Sequence, residues 1–309
     1  MNPDIAVLVP CYNEQETIAK VVTDFRNHLP GCTVFVYDNA STDATMARAR
    51  EVGAVVRSES LPGKGNVVRR MFADIEADVF VMVDGDDTYD AASAPEMVNR
   101  LLTESLDLIN GRRIETHSDA YRRGHRFGNW MLTTLVARIF GTRFRDMLSG
   151  YRVMSRRLVK SFPALSTGFA IETELTVHAL QLRVPTAEVD TPYRERPPGS
   201  VSKLRTYSDG FRILAAIATL VQEERPLQFF GLIAALLIAT ALLLGIPVVA
   251  EYLATGQVPR FPTAILASAL TLLGSLSFAC GLILQTVTKG RLELKRMHYL
   301  SIPIRISRN

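Results

Sequence analysis

Short apolar runs alternate with helically spaced apolar positions through the first hundred residues. Ile5-Ala6-Val7-Leu8-Val9 is an unbroken apolar run closed by Pro10, the pattern of a strand buried on both faces. Ile18, Val21, Val22 and Phe25 then recur at helical spacing within 17–25. A second strand is expected over 33–37, stopped by Asp38-Asn39, and a short helix over 43–52 with Asp43 as its N-cap. A strand over 54–56, a helix over 64–76 and a strand over 79–83 follow. Repeated strand–helix units predict a parallel sheet with right-handed crossovers.

The pattern loosens after the fourth strand. Helices are expected over 95–102 and 168–182, and a short strand over 106–109. The segment 125–140 sets Trp130, Leu132, Leu135, Val136, Ile139 and Phe140 beside Arg126 and Arg138. Such a helix suits a membrane surface, as does the amphipathic stretch 207–224. Two apolar segments, 227–250 and 263–287, contain no charged residue, and each is long enough to cross a bilayer core. Arg225 precedes them, Lys289, Arg291, Lys295 and Arg296 follow, and the connector's only basic residue is Arg260. The positive-inside rule puts the connector outside and both ends in the cytoplasm. The expected organisation is a cytoplasmic catalytic domain over 1–206, a juxtamembrane helix over 207–225, a transmembrane hairpin over 226–288 and a cytoplasmic tail over 289–309.

Composition agrees with this division. Hydrophobic residues make up 48% of 309, mean hydropathy is +0.13, and the excess sits after Pro226. A net charge of +4 suits an anionic membrane face or phosphorylated substrates, and no nucleic-acid-binding motif accompanies it. Cys11, Cys32 and Cys280 are read as unpaired thiols, and no His or Cys spacing suggests zinc. The first residues do not read as a signal peptide.

The chemistry concentrates at strand ends. Asp84-Gly85-Asp86-Asp87 follows the fourth apolar run, at the sheet edge where open α/β folds place ligands. Clustered carboxylates repel one another unless a cation sits among them, and hard cations such as Mg²⁺ bridge carboxylates to substrate phosphates. Pro10-Cys11-Tyr12-Asn13-Glu14 follows the first strand, and Asp38-Asn39-Ala40-Ser41-Thr42-Asp43 the second, so both loops face the same edge. Gly63-Lys64-Gly65 opens the third helix, whose N-terminus favours anions. Neither a Walker P-loop nor a dinucleotide-binding Gly-x-Gly-x-x-Gly is present, which argues against a P-loop NTPase and a nicotinamide enzyme.

These motifs in this order resemble glycosyltransferase family 2, over residues 4 to 225. Ser149-Gly150-Tyr151-Arg152 and the stretch from Arg194-Glu195-Arg196 to Ser202-Lys203-Leu204 look like its polyprenyl-phosphate sugar transferase subgroup, the dolichol-phosphate mannose synthase type. The resemblance implies a GT-A fold, a Rossmann-like mixed α/β sheet. It implies transfer of one sugar from a UDP- or GDP-sugar to undecaprenyl or dolichyl phosphate, with inversion, at the inner membrane. Pro10, Tyr12, Glu14, Asp38, Asn39, Asp43, Gly63, Lys64 and Gly65 would bind the donor, with Arg196 and Lys203 holding its diphosphate from a hinged loop. Asp84 and Asp86 would hold Mg²⁺ or Mn²⁺, Asp86 directly, and Asp87 and Glu172 would complete the catalytic group. Arg112, Arg122, Arg126, Asn129 and Arg152 would grip the acceptor phosphate. Many subgroup members carry glutamine where this chain has Thr88, and Arg126 stands where they carry serine. The acceptor is already an anion, so positioning and charge neutralisation should outweigh base catalysis.

Two rivals are weighed. A processive polysaccharide synthase would show Gln-x-x-Arg-Trp and more spans, but the one tryptophan, Trp130, lies in Gly128-Asn129-Trp130. A membrane scaffold with an inactive transferase domain would have no need of Asp84, Asp86, Arg196 and Lys203. The bilayer is an expected partner, and hairpins of this kind associate in membranes, so a homo-oligomer is a further expectation. Neither span shows a Gly-x-x-x-Gly face.

Overall fold

A computed structural model of the chain describes residues 3–115, 134, 136, 144–166, 168, 171–194, 219 and 221–303. Seven strands form one mixed sheet: β1 (Ile5–Cys11), β2 (Thr33–Asp38), β3 (Val55–Ser58), β4 (Val79–Met82), β5 (Leu108–Glu115), β6 (Arg152–Ser155) and β7 (Thr186–Tyr193). Their order is β3-β2-β1-β4-β6-β5-β7. The first four are mutually parallel, as the strand–helix alternation predicts. Cys11 stands opposite Asp38 and Leu8 opposite Met82, so the loops after β1, β2 and β4 emerge along one edge.

The far half of the sheet departs from the parallel expectation. β6 runs antiparallel to both β4 and β5, and β5 is parallel to β7. β6 has only four residues and opens on a buried arginine, so it carries no apolar run to betray it. β7, Thr-Ala-Glu-Val-Asp-Thr-Pro-Tyr, alternates at an edge and reads as a polar loop. β5 extends well past the apolar residues that announce it, through Arg112 and Arg113.

Helices cover both faces. α1 (Ile18–His28) and α4 (Ala94–Thr103) bury Ile18, Val22, Phe25, Met97 and Leu101 against Val7, Val9, Val81 and Val153. α2 (Thr45–Glu51) links β2 to β3. On the other face lie α3 (Lys64–Asp74) and α5 (Arg156–Ser161), where Phe72 meets Phe80 and Phe162 edge-on. α6 (Ile171–Leu182) is buried along most of its length, including His178. The surface helices expected over 125–140 and 207–224 fall largely outside the described residues.

The second compact unit, residues 211–294, is dominated by two long apolar helices. α7 spans Pro226–Thr255 and α8 begins at Phe261 and runs to Ser301, and each is long and apolar enough to cross a membrane. Gly256, at φ 70°, ends α7 in the left-handed conformation common at helix C-termini. The residues buried between the helices are Ala234, Ala241 and Val248 on α7, and Ala267, Gly274 and Gly281 on α8. Each trio recurs every seven residues, the repeat that keeps one seam facing a partner helix. Small side chains let the backbones approach: a Cβ on Gly274 would lie 2.7 Å from Ile238 Cγ1 and 3.3 Å from the Ala234 carbonyl. Ser277 Oγ donates across the seam to the Phe230 carbonyl at 3.0 Å. The packing face is therefore a seven-residue stripe of small residues rather than a Gly-x-x-x-Gly motif.

α8 continues well beyond the expected end of the span at 287. Its last turns belong by contact to the first compact unit, residues 1–210 with 295–309. Tyr299 Oη donates to Asp107 Oδ2 at 2.8 Å, Lys295 Nζ to Gln181 Oε1 at 2.7 Å, and Arg157 Nε to the Ile302 carbonyl at 3.1 Å. The charged stretch after 289, read from sequence as a tail, is thus partly helix packed on the domain.

Two outcomes follow from these contacts. Gly274→Leu overpacks the seam and should weaken the hairpin by about 1–3 kcal/mol, measurable as lower thermal stability in detergent. His178 is 1% exposed, and burial, with the positive charges of Lys295 and His298, lowers its pKa to about 3. The folded state keeps it neutral while the unfolded chain protonates near pH 6.5. Stability should therefore fall as pH drops from 6.5 toward 3, by up to about 1.4 kcal/mol per unit. Denaturant titrations at pH 7 and 5 should show a shallower loss in His178→Gln.

Candidate active site

The site forms where the loops after β1, β2 and β4 meet. Asp84 and Asp86 leave the end of β4 in a tight turn around Gly85, where a Cβ would lie 2.7 Å from Cys11 Sγ. Thr17 Oγ1 donates to the Gly85 carbonyl at 2.6 Å and holds that turn against α1. The Cys11 thiol reports the convergence: burial raises its pKa well above the usual value, and Glu14, Asp38, Asp84 and Asp86 add to the rise.

Asp84 has two close neighbours. Lys64 Nζ lies 2.5 Å from Asp84 Oδ1 and 2.6 Å from Glu172 Oε1, bridging both carboxylates. Burial disfavours the lysine's charge, but the two carboxylates outweigh it and hold its pKa well above the ordinary value. On its other side Asp84 rests against Gly150, where a Cβ would lie 2.6 Å from Asp84 Oδ2. Gly150 N–H donates to Tyr89 Oη at 2.8 Å. Lys64 is placed by the loop before it. Asn39 Oδ1 accepts from Gly63 N at 2.7 Å, its Nδ2 donates to the Glu59 and Leu61 carbonyls, and Gly63 takes φ 120°, which favours glycine. Gly65 is buried in the first turn of α3.

Asp86 is buried, and Thr88 donates to its Oδ1 through both the hydroxyl, at 2.7 Å, and the backbone N–H. That is what the threonine standing in place of glutamine does here. Asp87 goes elsewhere. It adopts φ 57° and accepts from Lys20 Nζ at 2.7 Å, so the third carboxylate of the acidic turn is drawn to α1, away from Lys64 and Glu172.

The donor-side residues divide into two kinds. Asp38 is buried, accepts from Ser41 N at 2.9 Å through Oδ2, and has no hydrogen-bond partner at Oδ1 among the described residues. An orphaned buried acceptor beside the edge fits a ligand N–H or O–H. Pro10, one residue before the end of β1, stands opposite Tyr37, and Tyr12 is exposed. Asn39 and Asp43 are stitches: Asp43 accepts from Thr45 N, Thr45 Oγ1 and Gln15 N, and α2 starts one residue later than expected, with Ala44 and not Asp43 at its N-cap. Glu14 N donates to Thr45 Oγ1, lacing the first loop to the second.

Arg152 is corrected by the structure. It is fully buried, donating to the Ser149 and Met147 carbonyls and to Thr176 Oγ1, and burial lowers its pKa to about 10. It braces the approach to β6 and does not face an acceptor. Arg112 is ion-paired with Asp190, in a polar pocket shared with Glu96, Arg100, Arg145 and Glu188. Successive strand residues point to opposite faces, and Arg113 takes the other course. It forms a two-pronged pair with Asp146, at 2.7 and 2.8 Å, and lies 5.5 Å over the Tyr193 ring. Tyr193 packs on Tyr89 and is partly buried; that burial, and the Asp86 carboxylate after it, raise its pKa. Tyr89, Tyr193 and Asp146 were not singled out from sequence, where an aromatic two residues past the acidic turn was the one available signal. Glu174 caps a neighbouring loop through Leu165 N and Ser166 N. Arg122, Arg126, Asn129, Arg196 and Lys203 lie outside the described residues.

No group of three or more His, Cys, Asp or Glu among the described residues could cage a metal. Asp84 and Asp86 instead supply a pair of oxygen donors beside an open edge. That fits a hard cation whose remaining ligands come from a substrate diphosphate and water.

A mixed GT-A sheet with paired carboxylates after β4 is the architecture of a glycosyltransferase. The family model "Glycosyl transferase family 2" matches residues 6–162, and the chain belongs to that family. It is 38% identical over 253 residues to Glycosyltransferase AglJ of Haloferax volcanii, covering 81% of this chain and 83% of that one. It is 30% identical over 223 residues to the same organism's Dolichyl-phosphate hexose transferase, covering 72% and 96%. Among solved structures it resembles Mycobacterium tuberculosis glucosyl-3-phosphoglycerate synthase in complex with Mn²⁺, UDP and glucosyl-3-phosphoglycerate. The TM-score is 0.59 at 26% identity, covering 72% of this chain and 80% of that chain.

Because Gly150 alone gives Asp84 its room, Gly150→Ala should lower sugar transfer at least tenfold while the circular dichroism spectrum stays unchanged.

Proposed function

We propose that this protein transfers a single sugar from a nucleotide diphosphate sugar, a UDP- or GDP-sugar, to a polyprenyl phosphate, inverting the anomeric centre. The observation that carries the reading is the convergence of Asp84, Asp86 and the orphaned Asp38 carboxylate on one sheet edge, in a chain that also carries two helices long enough to span a membrane. The similarity to a dolichyl-phosphate hexose transferase supports the acceptor class. The structure with Mn²⁺ and UDP supports the donor class and a divalent cation.

Asp38 Oδ1 would accept from the donor's base or ribose, and Pro10 and Tyr12 would wall the nucleotide. Asp84 and Asp86 would hold Mg²⁺ or Mn²⁺, which when bound supplies charge neutralisation to the departing diphosphate. Arg196 and Lys203 would close over that diphosphate. The acceptor phosphate would be received by Arg122, Arg126 and Asn129, with Arg113 at the Tyr193 side of the site. Its oxygen is anionic at neutral pH, so the chain's task is to align it with the anomeric carbon and exclude water. The hairpin would hold the isoprenoid. The basic residues flanking it support a catalytic domain in the cytoplasm at the inner membrane.

Membranes containing the protein should convert one of a panel of radiolabelled UDP- and GDP-sugars into lipid-extractable product when polyprenyl phosphate is supplied. Asp86→Ala should abolish that product, by more than about a hundredfold, without reducing membrane insertion. Water-soluble polymer as the product would favour a processive synthase instead.

A further inference from the structure

Lys64 touches the same carboxylate that the proposed cation would use. Its ammonium lies 2.5 Å from Asp84 Oδ1, in a pair only partly open to solvent. Two carboxylates share the lysine, the second being Glu172 at 2.6 Å, whose side chain is nearly buried. The geometry is tightly constrained. Gly63 and Asn39 fix the start of α3, Gly150 backs Asp84, and Glu172 lies in the first turn of α6.

An ammonium on a metal-ligand oxygen opposes the metal in two ways. It competes for the lone pair and it repels the cation. A carboxylate on the far side of that ammonium counters both effects, because it gives the lysine a partner that does not depend on Asp84. We propose that Lys64 and Glu172 are positioning residues that set the cation affinity of the site in opposite directions: Lys64 weakens it and Glu172 strengthens it by drawing Lys64 off Asp84. Glu172 then acts through Lys64 and touches no reacting atom, in place of the direct catalytic role expected from sequence. The arrangement suits a transferase whose cation must be held loosely until a donor diphosphate supplies further ligands. The proposal rests on the reading of Asp84 and Asp86 as the metal pair.

The test is Mn²⁺ binding to purified full-length protein in detergent, read by the electron paramagnetic resonance signal of free Mn²⁺, with no donor present and again with UDP. Lys64→Met should bind Mn²⁺ about tenfold more tightly than the parent. Glu172→Gln should bind it several-fold more weakly. Lys64→Arg, which keeps the charge, should stay within about threefold of the parent. Shifts of Lys64→Met and Glu172→Gln in the same direction, or no shift in either, would overturn the proposal while leaving the metal pair standing. A parent protein that binds no Mn²⁺ with or without UDP would overturn the metal reading and the proposal with it. A misfolded variant would show as a lost near-ultraviolet circular dichroism signal. In that case Lys64→Gln and Glu172→Asp take its place, with the same signs expected.

Discussion

Charge neutralisation at the end of β4 is the constraint on which the site depends. Two carboxylates, Asp84 and Asp86, emerge just past the end of a fully buried strand, and a third, Glu172, reaches toward them from α6. Left to themselves they would repel and lose solvation. The fold answers with one shared lysine, a glycine that admits Asp84, and a threonine that ties Asp86. Each device comes from a different element, so the site assembles only when α3, β4, β6 and α6 are all in place. The Ser149-Gly150-Tyr151-Arg152 motif is explained in the same terms. Ser149 Oγ donates to the Gly111 carbonyl, Gly150 makes room, Tyr151 packs edge-on against Phe25, and Arg152 ties the loop to α6. It is a bracket for Asp84, built from residues that a reading for acceptor contacts would place at the surface.

The apolar unit follows a different physics. In lipid, hydrophobicity cannot drive two helices together, so packing and close backbone approach must do so. The seven-residue stripe of alanine, valine and glycine supplies that approach, while Leu243, Leu253, Leu272 and Ile283 remain more than half exposed. α8 does not stop where its apolar run stops. Its polar continuation keeps helical hydrogen bonding, and its end is received by Asp107, Arg157 and Gln181 of the first compact unit.

Much of this was readable along the chain because it depends on local order. Unbroken apolar runs and period-3.6 apolar spacing located β1, β2, β4, α1, α3 and α4 to within a few residues, and carboxylates after an apolar run marked the edge where the loops after β1, β2 and β4 converge. The two spans were legible from length and lack of charge. The family resemblance extended this to the GT-A fold, and the match to glycosyltransferase family 2 bears it out. The places where reading failed share a cause. β6 and β7 are defined by partners far away in sequence and not by their own composition. Asp87 and Arg152 have the right residue type near the right motif, but a left-handed backbone turns one to Lys20 and complete burial encloses the other.

The sequence by itself determined the class of sheet, the edge on which the acidic and polar loops gather, and the apolar length of the hairpin. All of these follow from residue type and spacing within one element or its adjoining loop. Only the tertiary structure decided that Asp84 and Glu172 share one lysine while Asp87 is diverted to Lys20. It likewise decided that Arg113 rather than Arg112 neighbours the site, and that Lys64 meets Asp84 and also Glu172, the latter 108 residues further along the chain. Electrostatic partnership depends on distance in space, falling off within a few ångströms, and that distance is set by strand order and helix packing, which no stretch of sequence carries alone.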